Sequence, residues 1–410
     1  MTTATLSKEM TVKEVLEHWP ETLDVFVANG FENFKDERQR NAVAAFLKLE
    51  RAATTKNYDL NNFLALLQEK IDEQLNLADV TMKKTEKAGS DVRVSGLLPC
   101  PVRLPLLEGF DAFIEQYTAE TGAQVSYKLE AASVGADWIE ENIKGIDNPV
   151  DLPEIFLSAG FETFFDRKTI GRFKDQGIFT DITSEQVNAD FAGIDIKDPK
   201  RDYSIIAAVP AVFMVNHDVR SDLPVPRTWS DLLKPEYEQQ VALPVGDFDL
   251  FNAILLAIHQ EHGEDGIKKL GRSMLKSMHP SQMVKNAKRV AEEKPLVTIM
   301  PYFFTKMADM VKSLEIIWPE DGAVLSPIFM LTKKSCLEQV RPIADYLSSR
   351  EVGEVLSHRG LFPSLHPEVD NKLGSSRPWK WIGWDYIYQN DIGTLIEQTN
   401  KLFEESMNAA

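Results

Sequence analysis

The sequence predicts an α/β protein that is preceded by a small all-α domain. Three observations support this class: residues 1–80 carry helical apolar spacing, residues 81–91 carry none, and strand and helix patterns alternate from residue 92 onward. Strands that alternate with helices at this spacing form right-handed βαβ units. We therefore expect a mostly parallel sheet with helices on both of its faces.

Length and composition limit the possible functions. A chain of 410 residues is too long for one economical core, so two or three domains are expected. The net charge of -18 argues against nucleic acid or an anionic membrane as the main partner, because both require a basic surface. The two cysteines, Cys100 and Cys336, build no disulfide framework and no CxxC metal site.

The ends and the apolar runs of the chain predict its location. The N-terminal residues show no apolar segment after a basic start, and no run of about 18 apolar residues occurs in the sequence. We therefore expect a cytoplasmic protein without membrane insertion.

The first region is predicted to be a four-helix bundle. Thr11 and Glu14 form a T-x-x-E capping box, Pro20 suits a helix start and Gly30 a helix end. A longer helix is predicted over residues 35–53. Another is predicted to follow a cap at Asp59, with apolar residues at helical spacing: Leu60, Phe63, Leu64, Leu67 and Ile71.

The second region is predicted to alternate strands with helices. A helix is expected over residues 105–121 and a short one over 136–144, and "SIIAAVPAVFMVN" forms either two strands or one crossing strand. "QVALPVGDFDLFNAILLAIHQ" is interpreted as a strand, a loop and a buried helix. The other predicted strands are "DVRVSGLL", "QVSYKLEA", "EIFLSAG", "PLVTIMPYFF" and "AVLSPIFMLTK". The aromatic tail from residue 377 is expected to pack back on the body.

Two segments of the second region carry a family resemblance. "VPAVFMVNHDVRSDLPVPRTWSDLLKPEYEQQVALP" holds a strand leading to an Asn, then P-x-T-W-x-D-L-L-x-P-x-Y and a further strand. "IIWPEDGAVLSPIFMLTKKS" holds P-x-D-G before a returning strand. From about residue 91 to 390 the chain thus resembles type II solute-binding proteins that serve ABC importers, nearest to the ferric-iron and related small-ligand branch.

A second resemblance covers the N-terminal region. "MTVKEVLEHWPETLDVFVANGF" and "NYDLNNFLALLQEKI" are similar to a helical domain of unknown function, DUF1858, that bacteria attach to redox and iron–sulfur proteins. That domain usually carries a cysteine pair after the Gly-Phe turn, where this sequence has "NGFENFKDERQR". A docking or self-association role is therefore expected here rather than a redox role.

The solute-binding resemblance implies two α/β lobes that a hinge joins and that close on a ligand. The implied organisation is a helical domain at 1–80, a linker at 81–91, the first part of lobe 1 at 92–208, lobe 2 at 209–322, and the return to lobe 1 with C-terminal helices at 323–410. Ligands of open α/β sheets lie beyond the carboxyl ends of the strands. The loops expected there are Pro99–Arg103, Ala131–Gly135, Ser158–Glu162, Val245–Asp249 and Pro301–Phe303.

Nine residues of these loops are the predicted ligand-binding positions: Pro99, Cys100, Arg103, Ser133, Ser158, Gly160, Asp247, Asp249 and Tyr302. Cys100 follows a strand and precedes a helix, so it is a pocket wall, a thiol activated by the helix N-terminus, or a small buried apolar residue. No nearby histidine offers an obvious base for a nucleophile.

The charged candidates point to opposite ligands. Arg103 is either a carboxylate or phosphate anchor at a helix start or a solvated first-turn residue. Asp247 and Asp249 suit either a cation or the N-cap of the next helix.

Tyr302 is the strongest single candidate of the nine. The resemblance implies that iron-binding relatives use adjacent tyrosines in this region, whereas this sequence has "PYFF" with one tyrosine. An organic ligand stacked on aromatic rings is therefore favoured over bare ferric ion. His259 and His262 have the i, i+3 spacing of a metal pair, but their place at a helix end favours interaction with the helix dipole.

The sequence thus predicts a non-catalytic binder, sensor or carrier of a small molecule or ion. Its N-terminal domain is expected to recruit a protein partner or a second copy. No cofactor is expected, since Walker A, GxGxxG, GxSxG, HExxH and EF-hand patterns are missing from the sequence. The alternatives are an exported importer receptor for iron or another solute, and an enzyme of the same fold that uses Cys100 or Tyr302.

Overall fold

The structure is a computed structural model that divides the chain into two compact units, Met1–Lys83 and Lys84–Ala410. It describes residues 6–19, 22–23, 26, 31, 34, 37–56, 60, 63–64, 67–68, 71, 90–98, 102–131, 139, 143–219, 222–245, 248–277, 294–305, 313–374 and 377–408. The predicted linker at 81–91 lies outside these residues except for Ser90 and Asp91, as do Pro20, Gly30 and Asp59.

The N-terminal unit begins with the predicted capping box. Helix α1 (Val12–His18) is capped by Thr11, whose hydroxyl accepts from the Glu14 amide while the Glu14 carboxylate accepts from the Thr11 amide. Two further helices are α2 (Glu37–Ala44) and α3 (Leu49–Thr55).

The single helix predicted over residues 35–53 is wrong. The chain leaves the helix after Ala44, and the segment before α3 pairs with the start of α1 through a Thr11–Lys48 bridge. The Val12 amide donates to the Leu47 carbonyl, and the Leu49 amide donates to the Met10 carbonyl. These bonds satisfy backbone groups that a continuous helix would pair internally, so a tertiary contact replaces the local preference.

The second unit is built from eleven strands and seven α-helices in the part of the chain that the structure describes. The strands are β1 (Val92–Leu98), β2 (Val125–Ala131), β3 (Ile155–Ala159), β4 (Phe179–Thr180), β5 (Ser204–Asn216), β6 (Val241–Leu243), β7 (Met274–Ser277), β8 (Val297–Pro301), β9 (Leu314–Ile317), β10 (Ala323–Lys333) and β11 (Trp379–Lys380). The helices are α4 (Arg103–Thr121), α5 (Glu162–Phe165), α6 (Phe248–Ser273), α7 (Leu337–Leu347), α8 (Arg350–Glu354), α9 (Trp384–Gln389) and α10 (Ile392–Asn408).

Two parallel strand groups form the two halves of the sheet. In one group β1 pairs in parallel with β2 and β3, and in the other β6 pairs in parallel with β7 and β8. The predicted short helix at 136–144 falls mostly outside the described residues. Within α6 the helical backbone is interrupted at Gly263, where φ is 62° and ψ is -158°, and a second helical segment continues to Ser273.

Two long antiparallel strands connect the groups. β5 and β10 pair with each other, β10 also pairs with β3 of the first group, and β5 also pairs with β8 of the second. The apolar run "SIIAAVPAVFMVN" is therefore one crossing strand, which decides between the two alternatives. One sheet continues from lobe to lobe through β5 and β10, whose pairing register shifts between Ile328 and Phe329.

Apolar cores lie on the sheet surfaces of this unit. Leu106, Phe110, Ile343 and Leu347 of helices α4 and α7 belong to one cluster, together with buried residues of β1, β3 and β10. The aromatic tail packs on the body as predicted, with Trp379 and Trp384 buried in the larger cluster. Among the described residues, the helices are all too short or too polar to cross a bilayer.

The family-like motif after β5 is a structural element of lobe 2. Thr228 and Asp231 cap a short turn reciprocally: the Asp231 amide donates to the Thr228 hydroxyl at 3.2 Å, and the Thr228 amide donates to the Asp231 carboxylate at 2.9 Å. Trp229 is fully buried, and the Tyr237 hydroxyl donates to the Pro224 carbonyl at 2.7 Å. The hydrogen bonds and the buried ring of this motif therefore hold the segment before β6 in one conformation.

Asp231→Asn is expected to destabilise the second unit in a pH-dependent way. Burial alone would raise the pKa of this carboxyl, but hydrogen bonds from Lys234 and from the Arg227 and Thr228 amides outweigh it and hold the pKa at about 2, against an ordinary 3.8. A lowered pKa in the folded state stabilises the fold above the ordinary value, and this stabilisation is lost as pH falls toward 2.

The measurement is urea unfolding of wild type and variant at several pH values. We expect the free energies of unfolding of wild type and variant to differ by about 1–2 kcal/mol at neutral pH. This difference should shrink as the pH falls from 4 to 2 and vanish below that range. Asp345→Asn, in an exposed i, i+4 pair with Arg341, is the control for loss of one charge. If Asp231→Asn and Asp345→Asn lowered the free energy of unfolding equally at neutral pH, the prediction would be contradicted.

Candidate ligand-binding cleft

The carboxyl ends of the first parallel group lie at one edge. Leu98 of β1 pairs with Ala131 of β2, and Gly96 of β1 pairs with Leu157 of β3, so Leu98 is level with Ala159. The loops that follow these three strands therefore leave the sheet side by side. They are the first three of the predicted ligand loops.

The carboxyl ends of the second group point back at this edge. Pro301, the last residue of β8, pairs with Ala211, and Ala211 pairs with Val324 on β10. Ala159, the last residue of β3, pairs with Ile328 on the same strand. The strand ends of the two lobes thus face each other across four residues of β10, which is about 13 Å along an extended strand.

The middle of the crossing strands forms the floor of this cleft. Ser326 and Pro327 of β10 pair there with Val209 and Ala208 of β5. Strand ends, loops and helix N-termini converge at this point, which is where α/β sheets bind ligands. The strands that precede the five predicted loops therefore end around one region.

One side of the cleft is closed by tight contacts between the loop after β3 and helix α6. Gly160 has a φ of 77°, and its amide donates to the Pro327 carbonyl at 2.9 Å. A Cβ at this position would lie 2.8 Å from an Asp249 carboxylate oxygen and 3.0 Å from its Cα. The buried Ser326 hydroxyl donates to the Asp249 carbonyl at 3.1 Å, so strand, loop and helix meet at one point.

A buried amide network extends this contact. The Asn252 side chain, 1% exposed, donates to the Glu162 carboxylate at 2.6 Å and accepts from the Asn400 amide at 2.8 Å. Glu162 begins α5 and Asn252 lies in the first turns of α6. The network therefore connects the loop after β3 to helices α6 and α10.

Tyr302 lies on the opposite side of the cleft floor, in a turn that follows β8. Its ring meets the Trp318 ring edge to face at 5.5 Å and 81°. The guanidinium of Arg377 lies over both rings, 5.4 Å from the Tyr302 centroid and 4.9 Å from the Trp318 centroid. The next residue, Phe303, packs instead on Phe362, so aromatic rings rather than a second phenol accompany Tyr302.

The structure describes only some of the nine predicted ligand-binding residues. Ser158, Gly160, Asp249 and Tyr302 are described, whereas Pro99, Cys100, Ser133, Asp247 and the Arg103 side chain lie outside the described residues. Ser158 is 1% exposed and its hydroxyl donates to the Ala159 carbonyl, so it supports the sheet from within.

Ser326, Asn252 and Arg377 are not among the residues predicted from the sequence. Ser326 and Asn252 sit in apolar runs and look like ordinary polar interruptions, and Arg377 is separated from Tyr302 by 75 residues in the sequence. The "RPWKW" run of the tail was the available signal for Arg377, because arginine beside tryptophans is typical of cation–π contact.

The histidine pair has two separate partners. His259 Nδ1 lies 2.9 Å from the Tyr386 hydroxyl, and His262 Nε2 lies 3.1 Å from the Ser230 hydroxyl. No cluster of three His, Cys, Asp or Glu residues suited to a metal occurs among the described residues. The pair is thus used in helix packing.

Comparison with known families identifies the second unit. A family model described as bacterial extracellular solute-binding protein matches residues 150–390, more than half of the chain. The chain belongs to this solute-binding protein family. A second model, the domain of unknown function DUF1858, matches residues 6–64. Both resemblances drawn from the sequence are confirmed, and the comparison with curated proteins gave no match.

Solved structures of low sequence identity share the fold of this solute-binding protein. The apo ferric ion-binding protein A of Pasteurella haemolytica is 16% identical, with a TM-score of 0.53 over 77% of this chain and 97% of that one. A Trichodesmium protein (IdiA, FutA) in complex with iron and citrate is 14% identical, with a TM-score of 0.53 over 78% and 99% of the two chains. An ABC transporter protein of Clostridium perfringens is 15% identical, with a TM-score of 0.54 over 78% and 100%.

Family membership decides the general class of activity. Solute-binding proteins bind their ligands without transforming them, so this member is a non-enzymatic binder. The predicted α/β class with two lobes is confirmed by the family and by the shared fold.

Proposed function

We propose that the second unit is a receptor that closes its two lobes on a small organic ligand in the cleft. One observation supports this proposal above all: the carboxyl ends of β3 and β8 face each other across the middle of β5 and β10. Two strands that cross between the lobes can bend as a hinge, and ligand contacts made by both strand ends favour the closed state.

The rings of Tyr302, Trp318 and Phe303 supply a surface on which an organic ligand stacks. These features support an organic solute more directly than a bare ion.

The test is native mass spectrometry of the full chain purified from its own cells, followed by small-angle X-ray scattering. The co-purified compound is removed and then added back at saturation. We expect the radius of gyration to fall when the compound is added. An unchanged radius at full occupancy contradicts lobe closure.

A ferric complex is the second candidate. Of the proteins that share the fold, one is described as ferric ion-binding and another as a complex with iron and citrate, and Tyr302 offers one phenol oxygen, a hard anionic donor. The same native spectrum distinguishes the two, since iron adds a characteristic mass. Iron that is lost in Tyr302→Phe would establish this candidate, whereas an iron-free compound that Tyr302→Phe retains supports the organic ligand.

Location and partner belong to the proposal. The description of the family as extracellular favours an exported receptor over the cytoplasmic binder expected from the sequence. Cell fractionation decides between the two locations. We propose further that the helical unit docks a protein partner or a second copy. Phe46 on its surface is 84% exposed, which suits such a contact.

A further inference from the structure

Two aromatic rings lie beneath the guanidinium of Arg377. Its guanidinium lies over Tyr302, which leaves β8 at the cleft floor, and over Trp318, whose ring stands nearly perpendicular to the Tyr302 ring. A cation–π contact engages the charge of a guanidinium and uses none of its N–H groups as a donor to a polar acceptor. Those donors remain available for an acceptor.

The support beneath Arg377 is rigid. The Trp318 indole donates to the carbonyl of Pro378, the residue after Arg377, at 2.7 Å. Trp379 packs edge to face on Trp318 at 5.2 Å and donates its indole N–H to the Asp190 carbonyl at 2.8 Å. The backbone on the C-terminal side of Arg377 is thus fixed by two indole hydrogen bonds, which lowers the entropy that a ligand contact would cost.

Among the residues that the structure describes, Arg377 has no acidic partner. Within the part of the chain that the structure describes, no carboxylate lies within 4.0 Å of its guanidinium, although the chain has 63 acidic residues. Lys380, three residues on, pairs with both Glu261 and Asp321. An arginine that has no acidic partner among the described residues of so acidic a protein is suited to an external anion.

We propose that Arg377 binds an oxyanion group of the ligand, a carboxylate or a phosphate, beside the Tyr302 ring. This inference rests on the proposed receptor function and adds the chemical class of its ligand. The fork of guanidinium donors matches two oxygens of such a group, and the Tyr302 and Trp318 rings hold the guanidinium in position. The ligand is therefore an anion whose charged group lies at the β8 side of the cleft.

The test is isothermal titration of the full chain with four probes: citrate, inorganic phosphate, glucose and putrescine. We expect citrate or phosphate to bind, and the one that binds identifies the oxyanion. Arg377→Gln should weaken that binding about 10- to 100-fold, since hydrogen bonds to charged groups contribute that much. Arg377→Lys should weaken it less, because it keeps the charge and loses the planar fork.

Arg341→Gln removes the same charge from the exposed face of α7 and should leave oxyanion affinity unchanged. Urea unfolding of each variant separates a structural role of Arg377 from a ligand-binding role. If the role is structural, Arg377→Gln and Arg377→Lys both lower the free energy of unfolding and leave the oxyanion affinity of the folded protein unchanged. Unchanged oxyanion affinity in folded Arg377→Gln overturns the inference, as does failure of both oxyanions to bind wild type. Binding of glucose or putrescine alone would overturn the inference and leave the receptor function standing.

Discussion

Gly160→Ala is expected to destabilise the second unit by about 3–4 kcal/mol and to force helix α6 away from the cleft. The glycine has a φ of 77°, where an L-residue is strained, and the added Cβ would lie within 3.0 Å of both side-chain and backbone atoms of Asp249. The backbone atom cannot rotate aside as a flexible side chain can. The substitution therefore separates the loop after β3 from the start of α6.

Gly177→Ala is the matched control. Gly177 has a similar φ of 61°, but a Cβ there meets no atom within 4 Å. Gly177→Ala should lower the free energy of unfolding by about 1 kcal/mol, because only the strained backbone conformation contributes. Urea unfolding of the two variants isolates the collision with Asp249, and equal costs would show that the cleft contact is not tight.

Trp229→Ala is expected to cost about 3–5 kcal/mol of folding free energy, because it removes a fully buried ring from the core of lobe 2. The Trp229 ring stands edge to face on Phe213 of β5 at 4.9 Å, and its indole donates to the Gly322 carbonyl at 2.9 Å. Its amide lies 3.2 Å from the Asp321 carboxylate. One residue of the P-x-T-W motif thus joins the crossing strand β5 to the P-x-D-G turn before β10.

Trp229→Phe separates packing from hydrogen bonding. Phenylalanine keeps most of the apolar contact and leaves the Gly322 carbonyl without the indole donor, so a cost of about 1–3 kcal/mol is expected. Trp381→Phe removes a comparable indole donor to Asp195 at an exposed position, where water replaces it, and should cost less. Chemical unfolding measures all three, and equal costs for the two phenylalanine variants would contradict a buried hydrogen bond at Gly322.

Much of the strand pattern follows from local sequence. The predicted strands at "DVRVSGLL", "QVSYKLEA" and "EIFLSAG" correspond to β1, β2 and β3, because alternating or continuous apolar residues determine which faces are buried. Elements whose form depends on remote partners were less predictable. The 35–53 helix breaks because Lys48 pairs with Thr11, and the long apolar run is one strand because β10 pairs along its first part.

The candidate cleft was likewise only partly predictable from the sequence. The sequence by itself determined the class of fold, the family motifs and the loops at the strand ends, because apolar spacing and turn residues are local properties. The tertiary structure decided that Gly160 meets Asp249, that Asn252 joins Glu162, and that Arg377 lies on Tyr302. These pairs are 75 to 90 residues apart along the chain, and contact between such distant side chains is set by the register of β5 and β10 and not by any local preference.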